Sequence, residues 1–418
     1  MRKITKKENS LLLQTLDFIG AYNSYFDNNN IGIHGDFTNP KAPKIDYLSF
    51  NFPSEDEFYY IDFKQFIEIA PEILTIEVVE KRIIKTANTR YYVVSPNDNY
   101  HEYILRNYYN LKTISKLGAE LDLVVDSLIV GLVATGLGEH DEDFWGTYSP
   151  YFAIKITYLA PTNVLLPEQE LNLVRSYIFE IAETTGIALQ FSEIGVPFFD
   201  YEDYEDETEN EEYIESNSKD IKYLESYNEG MKLYVSAVQI QDAELKFLNF
   251  YKILEHFAPV VVNIERYELM REKLTIPSST FEEGDYIKSI FDLVKSVRSR
   301  FNDEDLIKST INVCFNLVDH FEDLPQSIKF RVCQAIGVTE LNSSVDPNKL
   351  KIAGNMVGKI VYNTRNKVVH AKSNFRPTEN VCDSSELEQL NIFMREVCSK
   401  TIRWYNKQPQ HLKLTIIE

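Results

Sequence analysis

The chain changes its pattern once, and a block of charge marks the change. Asp200 to Glu215 holds ten acidic residues in sixteen positions, interleaved with Tyr201, Tyr204 and Tyr213. So dense a run of like charge repels itself and disfavours packing. Before it, β-branched and aromatic runs of strand length predominate; from Lys222 on, apolar residues recur at helical spacing. The 418 residues therefore predict an α+β protein in two parts. A mixed α/β sheet domain spans 1–195, an acidic linker 196–220, and an all-α helical bundle 221–418.

In the first part Glu8 to Ile19 reads as a short helix. Tyr59 to Phe63, Ile73 to Val79, Arg90 to Val94 and Tyr151 to Tyr158 read as strands. Leu121 to Val133 is nearly all apolar and fits one or two central strands; its last six residues fit a short buried helix as well. Pro167 and Gly186 bracket a helix whose buried stripe is Leu171, Val174, Ile178 and Ile181. Ile187 to Phe191 follows as a strand. His34, in Gly32-Ile33-His34-Gly35-Asp36, is expected in a surface loop and not in a metal pair. Gly136 to Asp143, with His140 among four carboxylates, is expected to be a solvated loop, because consecutive residues do not converge on one ion without an unusual turn. Tyr100, Tyr103, Tyr108 and Tyr109 are expected to divide between core and a partner surface. This half resembles no family.

In the second part Phe247 to Phe257, Tyr286 to Phe301, Asp305 to Phe321, Leu324 to Ile336 and Glu386 to Tyr405 carry helical periodicity. Cys314, Cys333, Cys382 and Cys398 all lie here without Cys-x-x-Cys spacing. They read as buried, reduced thiols of a cytoplasmic protein and not as a zinc site. The sequence shows no signal-peptide pattern and no apolar run of membrane-spanning length. A net charge of −21 argues against indiscriminate nucleic-acid binding but leaves room for a local basic site.

Such a site stands out at Lys349 to Arg376, which carries seven Lys and Arg and no acidic residue. Leu350 to about Lys372 predicts one helix, with Leu350, Ala353, Val357, Ile360, Val361, Thr364 and Val368 on its apolar side. Gly354 and Gly358 edge that stripe beside Arg365, so they admit a close neighbour: a second copy of the helix, or another helix of the same chain. Arg365 and His370 are five apart, and on an ideal helix their side chains diverge by about 140°. Two copies of the helix, or a loosened end after Val369, would bring them to one phosphate. A guanidinium presents a planar fork of donors to phosphate, and an imidazole moves protons near neutral pH.

Arg365-Asn366-Lys367-Val368-Val369-His370 resembles the Arg-polar-x-x-x-His signature of the HEPN superfamily. Phe247 to Phe257, FLNFYKILEHF, resembles the first helix of its Apea-like group, and the likeness runs from about Asp242 to Tyr405. It implies a dimeric helical bundle with a metal-independent endoribonuclease site built from both protomers and no cofactor. The implied roles are phosphate binding for Arg365, acid/base catalysis for His370, and orientation of His370 or the ribose for Asn366. Lys359, Lys367 and Lys372 are the expected RNA contacts, and Glu255 the expected partner that holds Arg365. The partners implied are RNA, with tRNA a candidate, a second copy of the chain, and a phage-derived trigger, since the group is associated with anti-phage defence. The alternative from another class is a non-catalytic helical dimer that binds RNA or a partner protein. Asp200 to Glu215, mimicking a polyphosphate, could also occupy the basic helix and restrain it.

Overall fold

The computed structural model describes residues 2–26, 29–38, 44–96, 101, 104–105, 111–138, 147–148, 151–160, 164–195, 221, 224–275, 285, 287–288, 291–292, 302–369 and 380–413. The chain divides into two compact units, Met1–Leu224 and Glu225–Glu418. The acidic stretch 200–215, the tyrosines Tyr100, Tyr103, Tyr108 and Tyr109, and His140 with the carboxylates around it lie outside the described residues.

The first unit is α+β. Its elements are β1 (Arg2–Lys3), α1 (Lys6–Tyr22), β2 (Ile31–Asp36), β3 (Lys44–Phe50), β4 (Tyr59–Asp62), α2 (Phe63–Ile73), β5 (Glu77–Val79), β6 (Ile83–Lys85), β7 (Thr89–Ser95), β8 (Thr113–Ile114), β9 (Ala119–Val124), α3 (Leu128–Leu137), β10 (Phe152–Tyr158), α4 (Pro167–Thr185) and β11 (Gln190–Phe191). Two antiparallel sheets result. In one, β3 pairs with β2, β4 and β1; the other runs β5-β6-β7-β10-β9-β8, with β11 also on β7. Leu12 and Ile19 of α1, Leu48 and Phe50 of β3, Phe66 of α2, Leu132 and Val133 of α3, and Tyr91 and Val93 of β7 share one core. The alternate residue Tyr92 points the other way and donates its hydroxyl to Glu170 of α4 at 2.5 Å. Both faces of β7 are therefore covered, and this is why Tyr91 to Val94 is continuously apolar.

Several elements differ from the sequence pattern. Ile73 closes α2 and does not open a strand. Asp62 caps that helix through Lys64 N at 2.8 Å, and Phe63, Phe66, Ala70 and Ile73 are its buried face. Tertiary burial thus outweighs the β-branched run, and the strand begins only at Glu77. Leu121 to Val133 is split: β9 ends at Val124 and Leu128 opens α3, whose first eight residues are all buried. Burial on every side removes the amphipathic signature that tells a helix from a strand. His34 is in β2 and not in a loop. The helix at Pro167 ends with Gly186 in the left-handed region at φ 79°, as its cap chemistry requires. The strand after it shrinks to Gln190–Phe191.

The second unit is helical throughout its described residues. Its elements are α5 (Glu229–Val238), α6 (Ala243–Thr275), α7 (Asp303–Cys314), α8 (Gln326–Ile336), α9 (Pro347–Val369) and α10 (Leu387–Asn406). The helix expected over Asp305 to Phe321 breaks at Phe315, whose backbone is extended; Asn316 then caps a 3₁₀ turn, Leu317–Asp323. Tyr286 to Phe301 lies mostly outside the described residues. The second helix, α6, packs against α5, α7, α9 and α10, and α9 packs against α7 and α8. Phe247, Phe250, Leu254 and Phe257 of α6, Val357, Ile360 and Val361 of α9, and Phe393 and Val397 of α10 are all buried where these helices pack. Among the described residues no helix is long and apolar enough to cross a membrane.

Candidate functional site

The basic helix α9 starts three residues before Leu350, at Pro347. Asp346 caps it by accepting from Asn348 N at 2.8 Å. Its described part ends at Val369, so His370 and Lys372 lie outside the described residues. Ala353, Val357, Ile360, Val361 and Thr364 are buried as the apolar stripe requires; Leu350 and Val368 are only half-buried.

The two glycines are used within the chain. A Cβ on Gly354 would lie 2.1 Å from Asn312 Oδ1, and one on Gly358 would lie 2.8 Å from Lys308 Cα, both on α7. The gap is therefore filled by the neighbouring helix of the same protomer. Of the two neighbours the sequence admits, the glycines serve this one, and they lend no support to a second copy docking there. Asn312 marks the contact by donating to Asn355 Oδ1 at 2.8 Å.

Arg365 sits near the far end of α9 and is held from three directions. Its Nη1 donates to Asn366 Oδ1 at 3.1 Å, and its Nη2 faces Glu255 Oε1 of α6 at 3.5 Å. The flat guanidinium lies 5.5 Å above the ring centre of Tyr251, a cation–π contact. Tyr251 and Glu255 are one helical turn apart on α6, so one face of that helix supplies both the platform and the counter-ion. Tyr251 itself is buried, and its hydroxyl is raised well above the ordinary tyrosine range by burial first and by the Glu255 carboxylate second. Arg365 opposes that rise, while Tyr362 and Asp303 add to it. The Arg365 side chain keeps 31% of its surface exposed and Glu255 keeps 44%.

Asn366 therefore spends its carbonyl oxygen on the arginine. Lys367 is half-buried, and its Nζ donates to Cys382 O at 3.3 Å and to Ser384 Oγ at 3.1 Å. Together with the bond from Cys382 N to Thr364 Oγ1 at 2.9 Å, this pins the last turn of α9 to the segment that leads into α10. Lys367, named above as an expected RNA contact, thus ties the helix end to this segment. Lys359 is half-buried on the middle of α9.

The imidazole that follows Glu255, His256, points elsewhere. Its ring meets Phe257 edge-on at 4.8 Å, and burial lowers its pKa. The sequence reading did not identify Tyr251, although its four-residue spacing from Glu255 was a usable signal. It also missed a buried polar cluster in the first unit. There Glu170 accepts from the hydroxyls of Tyr92 and Tyr158, with Arg90 Nε 4.0 Å away and stacked over Tyr158. These four come from β7, β10 and α4, and no local motif links them. Among the described residues no group of three or more His, Cys, Asp or Glu side chains could hold a metal ion. Cys314, Cys382 and Cys398 are buried, and burial pushes their thiols up, Cys382 to about 12; Cys333 is half-exposed, where a buried thiol was expected.

No protein-family model, no curated protein and no solved structure matches the chain.

Proposed function

We propose that the chain is a metal-independent endoribonuclease of the HEPN kind, with Arg365 and His370 as its working pair. The observation that carries this reading is the setting of Arg365. A half-exposed guanidinium is oriented on three sides at the end of an acid-free basic helix, five residues before a histidine. An ion pair as exposed as Arg365–Glu255 is worth only about 1 kcal/mol or less. A phosphate, which accepts from both arms of an arginine fork, is a stronger partner and can displace it. Tyr251 and Asn366 then keep the fork in place while Glu255 lets go.

In this reading Arg365 binds the scissile phosphate and stabilises the extra negative charge of the transition state. The ribose 2′-oxygen attacks phosphorus and its proton passes to an imidazole. The 5′-oxygen leaves and takes a proton from a second imidazole, supplied by the partner protomer's copy of the site. The products are a 2′,3′-cyclic phosphate and a 5′-hydroxyl. The direct test is end-group analysis of cleaved tRNA. A 3′-hydroxyl with a 5′-phosphate would rule this chemistry out.

A second reading has an observation in its favour. Both arms of Arg365 and the ammonium of Lys367 already have partners in the same chain. These contacts fit a non-catalytic helical module that binds RNA or a partner protein. Retained RNA binding with no cleavage under any condition would select it. The defence role, the phage-derived trigger, the homodimer and the cytoplasmic setting belong to the first reading and stand or fall with it.

A further inference from the structure

The outer face of the first sheet carries a row of aromatic rings where a wet sheet face ordinarily carries Thr, Lys or Glu. Cross-strand partners share a face, and the register pairs His34 with Tyr47, Tyr47 with Asp62, and Ser49 with Tyr60. Leu48 and Phe50 point the opposite way, into the core. The rings are contiguous. His34 lies flat on Tyr47 at 4.5 Å, Tyr47 meets Tyr60 edge-on at 5.7 Å, and Phe58 lies 6.3 Å from Tyr60. Tyr47, Phe58 and Tyr60 are 39%, 46% and 60% exposed.

The row is built, not incidental. His34 Nε2 and Ser49 Oγ are 2.8 Å apart, which fixes the imidazole flat against Tyr47. Gly32 makes room for it: a Cβ there would lie 2.4 Å from Ser49 Oγ and 2.7 Å from His34 Nε2. Exposed aromatic surface that is held in one conformation signals a partner.

Charge decides which partner. Asp62 sits on the same face, opposite Tyr47, and Asp36 lies two residues along β2 from His34. Exposed Asp56 and Glu57 lead into Phe58. Of the cations at this face, Lys64 is paired with Glu68 at 3.7 Å, Lys44 is the register partner of Asp36, and Lys3 of β1 is the register partner of Lys44, at the end of β3 away from Tyr60 and Phe58. The surface is thus aromatic with a carboxylate rim. Ring faces and carboxylates both attract cations, while the same carboxylates repel a polyphosphate.

We infer that this face is a docking surface for a polypeptide segment rich in Arg or Lys, whose cationic heads lie over Tyr47, Tyr60 and Phe58 and against Asp36 and Asp62. This site is independent of the nuclease reading and uses none of its residues.

The test uses the full chain and a fluorescein-labelled decapeptide of alternating Arg and Gly, followed by anisotropy. A Glu-Gly decapeptide and decauridine are the comparison probes. The double variant Tyr47→Thr, Tyr60→Thr removes the two central rings of the row, keeps the charge, and puts a strand-forming residue at two exposed sites. The parent is expected to bind the basic peptide in preference to both comparison probes. The variant should bind it at least about tenfold more weakly, with an unchanged circular dichroism spectrum. Equal binding by parent and variant would assign the affinity to net charge and overturn the inference. So would failure of the parent to bind the basic peptide, or a preference for decauridine that the double variant abolishes.

Discussion

Gly358→Ala isolates the packing of the basic helix. In an open helix the change would stabilise by about 1 kcal/mol, because glycine is the worse helix former. Here the new methyl carbon would lie 2.8 Å from Lys308 Cα and 3.0 Å from Lys308 Cγ. The nearest atom is backbone and cannot rotate aside, so α7 and α9 must separate. Overpacking of this kind costs about 1–3 kcal/mol. The net expectation is a loss of up to about 2 kcal/mol, or roughly 5 °C in Tm for a unit of this size. The chain has two tryptophans, Trp145 and Trp404. In a Trp145→Phe background, urea denaturation followed by fluorescence excited selectively at tryptophan therefore reports the second unit through Trp404. The midpoint should fall with an unchanged slope and should not depend on protein concentration, since the contact is within one protomer. A variant more stable than the parent by about 1 kcal/mol, the open-helix value, would mean that α9 and α7 are not in contact at Gly358. A loss that appears only at low protein concentration would move the contact to a second copy.

Four further outcomes are expected. Glu170→Gln should destabilise the first unit by about 1–3 kcal/mol, read by calorimetry, because the buried Tyr92 and Tyr158 hydroxyls lose their charged acceptor, while Arg90 keeps its bonds to Thr86 O and Thr89 O. Tyr92 and Tyr158 are raised above their ordinary value near 10, by burial first and by their bonds to Glu170 second. Since the folded state favours their protonated form, their contribution is complete below that value and is lost as the pH rises past it; urea midpoints measured from pH 8 to 11 should fall only at the alkaline end. At pH 8 a thiol reagent should label Cys333 before Cys314, Cys382 and Cys398, as burial raises all four thiols and leaves only Cys333 half-exposed. Tyr251→Phe should keep RNA cleavage within about twofold, whereas Tyr251→Leu should lower kcat about tenfold without a matching rise in KM, because the ring face and not the hydroxyl meets Arg365.

Two helices bounded by cap residues were legible in the sequence, whereas α2, which Asp62 caps, was not. Pro167 and Gly186 bracket α4, and Gly337 ends α8 in the left-handed region at φ 62°. The apolar stripe of α9 was legible too, because a helix with one wet face keeps its period. Elements buried on all sides were not. The Leu128 run folds as a helix because its neighbours cover every face, and periodicity is blind to that. The Glu255–Arg365 pairing was anticipated from chemistry alone, whereas Tyr251 was absorbed into the apolar face of α6. Whether Gly354 and Gly358 serve a dimer face or an intrachain groove could not be read from spacing, since either neighbour needs the same missing side chain. The Glu170 cluster joins three elements distant in sequence, so only the folded register assembles it.

Cleavage of tRNA in excess EDTA by the purified parent chain, by Arg365→Ala and by His370→Ala weighs most on the nuclease assignment. The parent should cut in chelator, and each variant should lose at least about a hundredfold in rate while its circular dichroism stays that of the parent. Cleavage that needs a divalent ion, or that survives both substitutions, would contradict it.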